Sequence, residues 1–279
     1  MITLPSKIDV SPFLDEDIGT GDVTALLIDE TKEATATVIT REPMILCGQA
    51  WFEAIFKTLD PQVKIHWQHQ DSEAVDANKV LCTLSGNARA LLTGERSALN
   101  IVQTLSATAT QSKRYAEAVS ETRCQVLDTR KTLPGLRLAQ KYAVTCGGCL
   151  NHRIGLYDAV LIKENHILAA GSIEQAVKKA RQQTTLTIEV EVESIPELIQ
   201  AIAAKPNKIM LDNFSISDLE HAVRLTDETI TLEASGDITL NNITQIAETG
   251  VDYISIGSLT KHINAINLSM RIELVSEEA

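Results

Sequence analysis

The chain has 279 residues, 44% hydrophobic and 22% charged, with a formal net charge of −12. That balance suits a globular protein with core material for one large domain or two smaller ones. The acidity disfavours a nucleic-acid binder, which needs a basic surface. No apolar run approaches membrane-spanning length, and the opening MITLPSKIDVSPFLDEDIG has no basic stretch leading into an apolar one. Neither a membrane protein nor a secretory leader is therefore expected. The five cysteines are scattered and odd in number, as in a protein with reduced thiols in the cytoplasm. Cys146 and Cys149 form a lone C-x-x-C with no second close pair to complete a zinc site. They read as small residues in a tightly packed Gly-rich segment.

The first ninety or so residues are strand-rich. ATATVITR (34–41) and VKIHWQH (63–69) alternate or carry β-branched residues, the pattern of half-buried strands. His66 and His69 point to opposite faces of such a strand and make no metal pair. QAWFEAIFKTL (49–59) has helical spacing at Trp51, Ile55 and Leu59. A long helix is expected from about Thr93, with Glu95 and Arg96 in its first turn and Ala98, Ile101, Val102, Leu105 and Ala109 on its apolar face.

After residue 120 short apolar strands alternate with helical stretches. The strands are QVLDTR (125–130), AVLIKENH (159–166), TIEVEVE (187–193), KIMLDNF (208–214), TLEASGD (231–237) and YISIGSL (253–259). IEQAVKKARQQ, PELIQAIAA, SDLEHAVRL and NNITQIAET are the intervening helices. Strand and helix in repetition mean right-handed βαβ units and a parallel sheet, and six strands fall short of a full eightfold barrel. The tail INLSMRIEL (266–274) suits a closing helix or strand returning to the first domain.

Every one of these strands ends in polar or glycine residues, and in β/α barrels the C-terminal strand ends share one rim. The early strands offer the cations Arg130, Lys131 and Lys163. The middle ones offer the carboxylates Glu191 and Asp212, and the last two offer turns with Gly236 and Gly257. Cations suit an anionic organic substrate, two acidic groups suit Mg²⁺ held mostly through water and substrate phosphates, and glycine turns suit a phosphate monoester. Lys141, His152 and Arg153 add cations around a glycine pair. Glu189, Glu191 and Glu193 share one face of a strand that should be buried on both sides, so that face reads as lining a polar, ligand-bearing interior.

The blocks EDIGTGDVT (16–24), GERSALN (94–100), DTRKTLPGLR (128–137), the Gly-rich run ending in NHR (147–153), LIKENH (161–166), EVEVE (189–193), MLDNF (210–214), EASGD (232–237) and ISIGSLTKH (254–262) occur in this order along essentially the whole chain. Together they resemble the quinolinate phosphoribosyltransferases, also called carboxylating nicotinate-nucleotide pyrophosphorylases. The resemblance implies an N-terminal α/β sandwich (1–112, joined by the tail 264–279) and an incomplete, open parallel α/β barrel (113–263). It also implies a homodimer, or a higher homo-oligomer, in which Arg96 reaches into the neighbouring site. Arg130, His152, Arg153 and Lys163 would grip the two quinolinate carboxylates. Thr129, Lys131, Glu191, Asp212, Ser235, Gly236, Asp237, Ile256, Gly257 and Ser258 would bind phosphoribosyl pyrophosphate, with Mg²⁺ at Glu191 and Asp212 and no organic cofactor. Lys131, Lys163, Glu191 and Asp212 would be the catalytic set. The chain departs from the family pattern at two places: Cys149 stands where a third glycine is common, and Asp237 where many members have glycine.

The activity this implies is formation of nicotinate mononucleotide, pyrophosphate and carbon dioxide from quinolinate and phosphoribosyl pyrophosphate, in de novo NAD biosynthesis. Competing readings are a phosphoribosyltransferase for another carboxylated heterocycle, a Schiff-base lyase using Lys163, and a non-catalytic binder on the same fold.

Overall fold

In strand β1 (Glu33–Thr40), Ala34, Ala36, Val38 and Thr40 are buried and alternate with more open neighbours. The computed structural model, which describes residues 4, 8–227 and 229–275, places this strand inside an antiparallel sheet. Helix α1 (Ser11–Ile18) precedes it. After it come β2 (Met44–Ile45), α2 (Gln49–Leu59), β3 (Lys64–Trp67), β4 (Ala74–Val75), β5 (Val80–Asn87) and the 31-residue α3 (Ala88–Ala118). Strands β2 and β4 pair as a small antiparallel ribbon. Helix α2 buries Trp51, Phe52, Ile55 and Phe56. Phe52 packs edge-on against Phe56 and Trp67, at centroid separations of 5.0 and 5.1 Å.

Helix α3 starts five residues before the expected Thr93. Asn87 supplies the reason, since its Oδ1 accepts the N–H groups of Arg89 and Ala90 and caps the first turn. Glu95 and Arg96 therefore lie well inside the helix. The tail, left open between helix and strand, is strand β12 (Leu268–Leu274). It runs antiparallel to β1 and completes the order β12-β1-β5-β3.

The chain divides into two compact units, the described residues up to Gln111 together with those from His262, and Ser112–Lys261. The second unit holds β6 (Gln125–Leu127), α4 (Arg137–Cys146), β7 (Val160–Ile162), α5 (Glu164–Ala170), α6 (Ile173–Gln183), β8 (Ile188–Val192), α7 (Ile195–Ala204), β9 (Lys208–Asp212), α8 (Ile216–Thr226), β10 (Thr231–Ser235), α9 (Ile243–Glu248), β11 (Tyr253–Ser255) and α10 (Ser258–Lys261). Ser172 and Ser215 cap α6 and α8 through their side chains. Helix α4 lies in a stretch read from sequence only as a cationic, Gly-rich run. Helix α5 takes Glu164, Asn165 and His166 from what looked like the end of a strand.

The six strands pair in parallel in the order β6-β11-β10-β9-β8-β7. Beyond the edge strand β6, Leu150 forms a parallel bridge with Leu127. Curvature follows from the side chains. His152, just past that bridge, meets Glu189 on β8 at 2.8 Å. In a flat sheet β6 and β8 would be four strand spacings apart, about 19 Å. The sheet is therefore an open barrel. Val190, Val192, Ile209, Leu211, Leu232, Ala234 and Ile254 face outward and pack with Val177, Leu198, Leu219 and Ile246 of the helices in one apolar core. The alternate positions, among them Glu189, Glu191, Lys208, Asp212, Glu233 and Ser235, face inward.

Phe52→Ala should lower the stability of the protein by about 3–5 kcal/mol, because a fully buried ring leaves a cavity the fold cannot close. Urea unfolding followed by tryptophan fluorescence measures it, and a loss below about 1 kcal/mol would contradict the packing described.

Candidate active site

At the C-terminal ends of the barrel strands lies a cavity of about 390 Å³, lined by Thr129, Arg130, Lys131, His152, Arg153, Leu161, Lys163, Glu191, Met210, Asp212, Glu233, Ser235 and Ser255. That volume is in the usual range of small-molecule sites. Nine of the residues singled out from sequence are among these. Leu161, Met210, Glu233 and Ser255 were not anticipated. Their signal was present in the period-two alternation, which puts each on the inward face of its strand.

The turn after β6 is held from below by helix α4, whose Arg137, Gln140 and Lys141 share one face at i, i+3 and i+4. Arg137 donates to the carbonyls of Arg130 and Ile154. Gln140 accepts from the Leu133 N–H and donates to the Thr260 carbonyl. Lys141 is fully buried and donates to Asp128 at 2.5 Å and to the His152 carbonyl at 3.0 Å. Asp128 also accepts from Asn151 Nδ2 and the His152 N–H, both at 2.8 Å. Lys141, read from sequence as one more cation near the ligand, is instead a cross-link between the two segments that carry Arg130 and Arg153. Burial presses the Asp128 carboxyl up and the Lys141 ammonium down, each opposed by the other's charge.

Arg153 follows directly. Burial first, and the nearby Arg130 guanidinium second, hold its pKa below the usual arginine value. Two like charges are thus set close together, and Arg130 Nε is buried with no protein acceptor. Such a pair calls for an anionic ligand. His152 has both ring nitrogens engaged. Nδ1 accepts the Arg153 N–H and Nε2 lies 2.8 Å from Glu189 Oε2, which puts the imidazole proton on Nε2.

Lys163 is ion-paired with Glu191 at the rim, and its side chain keeps 42% of its exposure. Asp212 accepts from Asn213 Nδ2 at 2.9 Å. Glu189 is 4% exposed and partnered by His152 and by Lys208 at 3.6 Å, while Glu193 is exposed. The three carboxylates of TIEVEVE therefore have three environments: Glu189 is paired inside the barrel, Glu191 is in the cavity lining and Glu193 is in solvent.

Gly257 lies against Lys131, where a Cβ would come within 3.1 Å of Lys131 Cδ. Gly236 has φ +103°, and a Cβ there would fall 2.0 Å from Asn213 Oδ1. Ile256 is buried in the core and Ser258 opens α10. These four residues flank the cavity's lining without being part of it.

Residues 22–106 match the model of the quinolinate phosphoribosyl transferase N-terminal domain, and residues 108–271 that of the C-terminal domain. The chain belongs to the quinolinate phosphoribosyl transferase family. It is 42% identical over 267 residues to a Bacillus subtilis protein named probable nicotinate-nucleotide pyrophosphorylase (carboxylating), covering 95% of this chain and 92% of that one. The structure of the nicotinate-nucleotide pyrophosphorylase from Francisella tularensis superposes with a TM-score of 0.92 at 50% identity, covering 95% and 94% of the two chains. That of NadC from Streptococcus pyogenes gives 0.92 at 34% identity, covering 98% and 100%.

Both departures from the usual quinolinate phosphoribosyl transferase pattern have local explanations. Asp237 has φ +41°, a left-handed position where glycine is preferred and Asp is better tolerated than most residues. It is exposed and outside the cavity lining. Cys149 is buried with no positive φ, and its Sγ reaches the Ser112 carbonyl at 3.2 Å. Burial pushes its thiol up to about 12, which makes it a packing residue and not a redox centre. Arg96 belongs to the other compact unit, exposed on α3.

Lys141→Met should cost about 3–5 kcal/mol of stability, since it strands the Asp128 carboxylate inside the protein. Adding Asp128→Asn to it should recover part of the loss. Chemical denaturation of the two variants tests this, and equal stability of Lys141→Met and wild type would show that the pair holds nothing in place.

Proposed function

We propose that the cavity is the active site in which this family member joins quinolinate to phosphoribosyl pyrophosphate, giving nicotinate mononucleotide, pyrophosphate and carbon dioxide. The observation that carries the assignment of roles is the close pair Arg130 and Arg153, whose mutual repulsion a bound dicarboxylate would relieve. Lys163 stands at the same rim and completes a cationic surround for the dianion. Leu161 and Met210 offer apolar surface for a heterocyclic ring. Lys131, lying across Gly257 beside Thr129, would receive the pyrophosphate as it departs. The Ser235–Gly236 and Gly257–Ser258 turns would hold the 5-phosphate, with Asp237 and Ile256 contributing backbone only.

The ring nitrogen attacks the anomeric carbon as pyrophosphate leaves, and positive charge builds on the ribosyl ring. Glu191 and Asp212 are the carboxylates placed to stabilise that charge. They are also hard oxygen donors that fit Mg²⁺. Neither belongs to a cluster of three potential ligands among the described residues, and Glu191 already holds Lys163. That donor set suits an ion arriving chelated by the diphosphate substrate and neutralising its charge, with Glu191 and Asp212 as outer holders. Once the nitrogen is quaternised, the neighbouring carboxylate leaves as carbon dioxide because the ring accepts the electron pair.

A lyase using Lys163 as nucleophile is disfavoured. The ammonium is ion-paired and substantially exposed, whereas a Schiff-base lysine needs a desolvated, uncharged amine. We further propose a homodimer with Arg96 serving the neighbouring site. Supporting it are large apolar side chains left in the open on each unit, among them Val23 and Leu27 at 78% and 86% exposure, and Tyr157 and Leu168 at 71% and 81%. Among the described residues, no helix is long and apolar enough to cross a membrane. A cytoplasmic location remains part of this proposal.

Purified protein given quinolinate, phosphoribosyl pyrophosphate and Mg²⁺ should release one carbon dioxide per nicotinate mononucleotide, whereas nicotinate in place of quinolinate should give none. Arg130→Ala should keep its fold and lose about 2–4 kcal/mol of transition-state binding, about thirtyfold to a thousandfold in kcat/KM. A rate near wild type would remove Arg130 from the site. Mixing Arg96→Ala with Arg153→Ala protein under conditions of subunit exchange should restore activity neither shows alone. Its absence despite proven exchange would refute the shared site.

A further inference from the structure

Beneath the cationic rim the barrel encloses four ionisable side chains. Lys208 on β9 is ion-paired with Glu233 on β10, lies 3.6 Å from Glu189 Oε1 on β8, and stacks 4.6 Å over the ring of Tyr253 on β11. His152 Nε2 is 2.8 Å from Glu189 and 3.6 Å from Glu233. Glu189 and Glu233 are 4% and 0% exposed, and each keeps one carboxylate oxygen, Oε1, with no donor. The group contains two carboxylates and one ammonium. The imidazole adds no charge, because its Nδ1 is an acceptor. With both glutamates ionised the cluster would carry a net buried negative charge, which is strongly disfavoured. One proton shared into it makes it neutral. Of the two glutamates Glu233 is the one that also reaches the cavity floor. Burial first, and the Glu189 charge second, push its carboxyl up, while the His152 hydrogen bond and the Lys208 charge outweigh burial and hold Glu189 down.

The proposed reaction needs such a proton. Loss of carbon dioxide leaves an electron pair on the ring carbon beside the quaternised nitrogen, and the product carries hydrogen there. Cations at the rim cannot donate it as readily as a neutral acid can.

Resting on the function proposed above, we infer that Glu233 is the acid that protonates the ring carbon vacated by carbon dioxide. The carbon–carboxylate bond breaks and its electrons stay on the ring carbon. Carbon dioxide leaves, and the Glu233 proton moves to that carbon. The new Glu233 carboxylate keeps its ion pair with Lys208, and a proton from water removes the excess negative charge and restores the acid after product release. Glu189 and His152 are positioning residues for this step, since they keep the proton on Glu233.

The test measures nicotinate mononucleotide formed per pyrophosphate released in wild type, Glu233→Gln and Glu233→Asp, with circular dichroism confirming each fold. Wild type should give a ratio of one. Glu233→Gln should give about a tenth of that, with the carboxylated nucleotide accumulating, and Glu233→Asp, which keeps an acid on a shorter arm, should recover part of the difference. A ratio of one in Glu233→Gln overturns the inference, as does an equal loss of both products in the two variants. Should neither variant fold, wild type in equal parts H₂O and D₂O decides. At least twofold preference for protium at the ring carbon is expected from a positioned acid, and equal incorporation overturns it. A wild-type protein that makes no pyrophosphate from the two substrates overturns instead the function on which this rests, and the inference falls with it.

Discussion

A carboxylate can be kept inside a barrel only if a cation or a proton is kept with it. The interior of the catalytic unit obeys that constraint twice. Close to the turn after β6 the partner is a lysine, in the fully enclosed Asp128–Lys141 pair. At the centre it is Lys208 shared between Glu189 and Glu233. The apolar core lies elsewhere, as a sleeve between the outer face of the sheet and the helices. This separation lets the lumen be polar without loss of the burial that drives folding, and it allows strands a few residues long to contribute to both.

The cations of the rim are organised on the opposite logic. Arg130 and Arg153 are brought near each other, and Arg130 Nε is left without a protein acceptor. Holding two guanidinium groups together opposes folding, and rigid anchors beneath them offset it. These are the Lys141 and Asn151 contacts to Asp128 and the Arg137 contacts to Arg130 and Ile154, with Asp158 accepting the N–H groups of Ile154 and Gly155 at 2.7 and 3.0 Å. In the proposed reaction such preorganisation would let charge develop with little reorganisation, the main source of electrostatic catalysis.

The barrel was legible in the sequence because apolar strands and helical stretches alternate at nearly constant spacing, and because polar residues recur at every strand end. Strands such as KIMLD and TLEAS were found within a residue or two. The start of α3 was missed because its signal is a single capping residue, Asn87, ahead of a stretch whose apolar periodicity sets in only later. Helix α4 was hidden by its glycine-rich sequel. Lys141 was misread for a deeper reason. A lysine in a cationic run gives no hint of whether it faces ligand or an aspartate thirteen residues earlier, because that depends on how helix α4 packs under the turn. Glu233 was equally obscure. One charged residue in an apolar strand shows which face it occupies but not that Lys208 and Glu189, on two other strands, meet it there.

The same dependence on distant partners explains the end of the site richest in positive φ angles. Asn213, Gly236 and Asp237 have φ of +57°, +103° and +41°. The Asn213 N–H donates to the Ser235 carbonyl at 2.9 Å, so the turns after β9 and β10 lie side by side. A side chain at residue 236 would collide with Asn213 and push the Asp212 turn away from the cavity. Glycine is therefore required at 236 by its neighbour as much as by its own backbone. At 237 only the left-handed backbone is demanded, which Asp can supply. Of these two neighbouring positions, the one where this chain departs from the family is thus the one whose requirement is weaker. Its carboxylate stays exposed and outside the cavity lining.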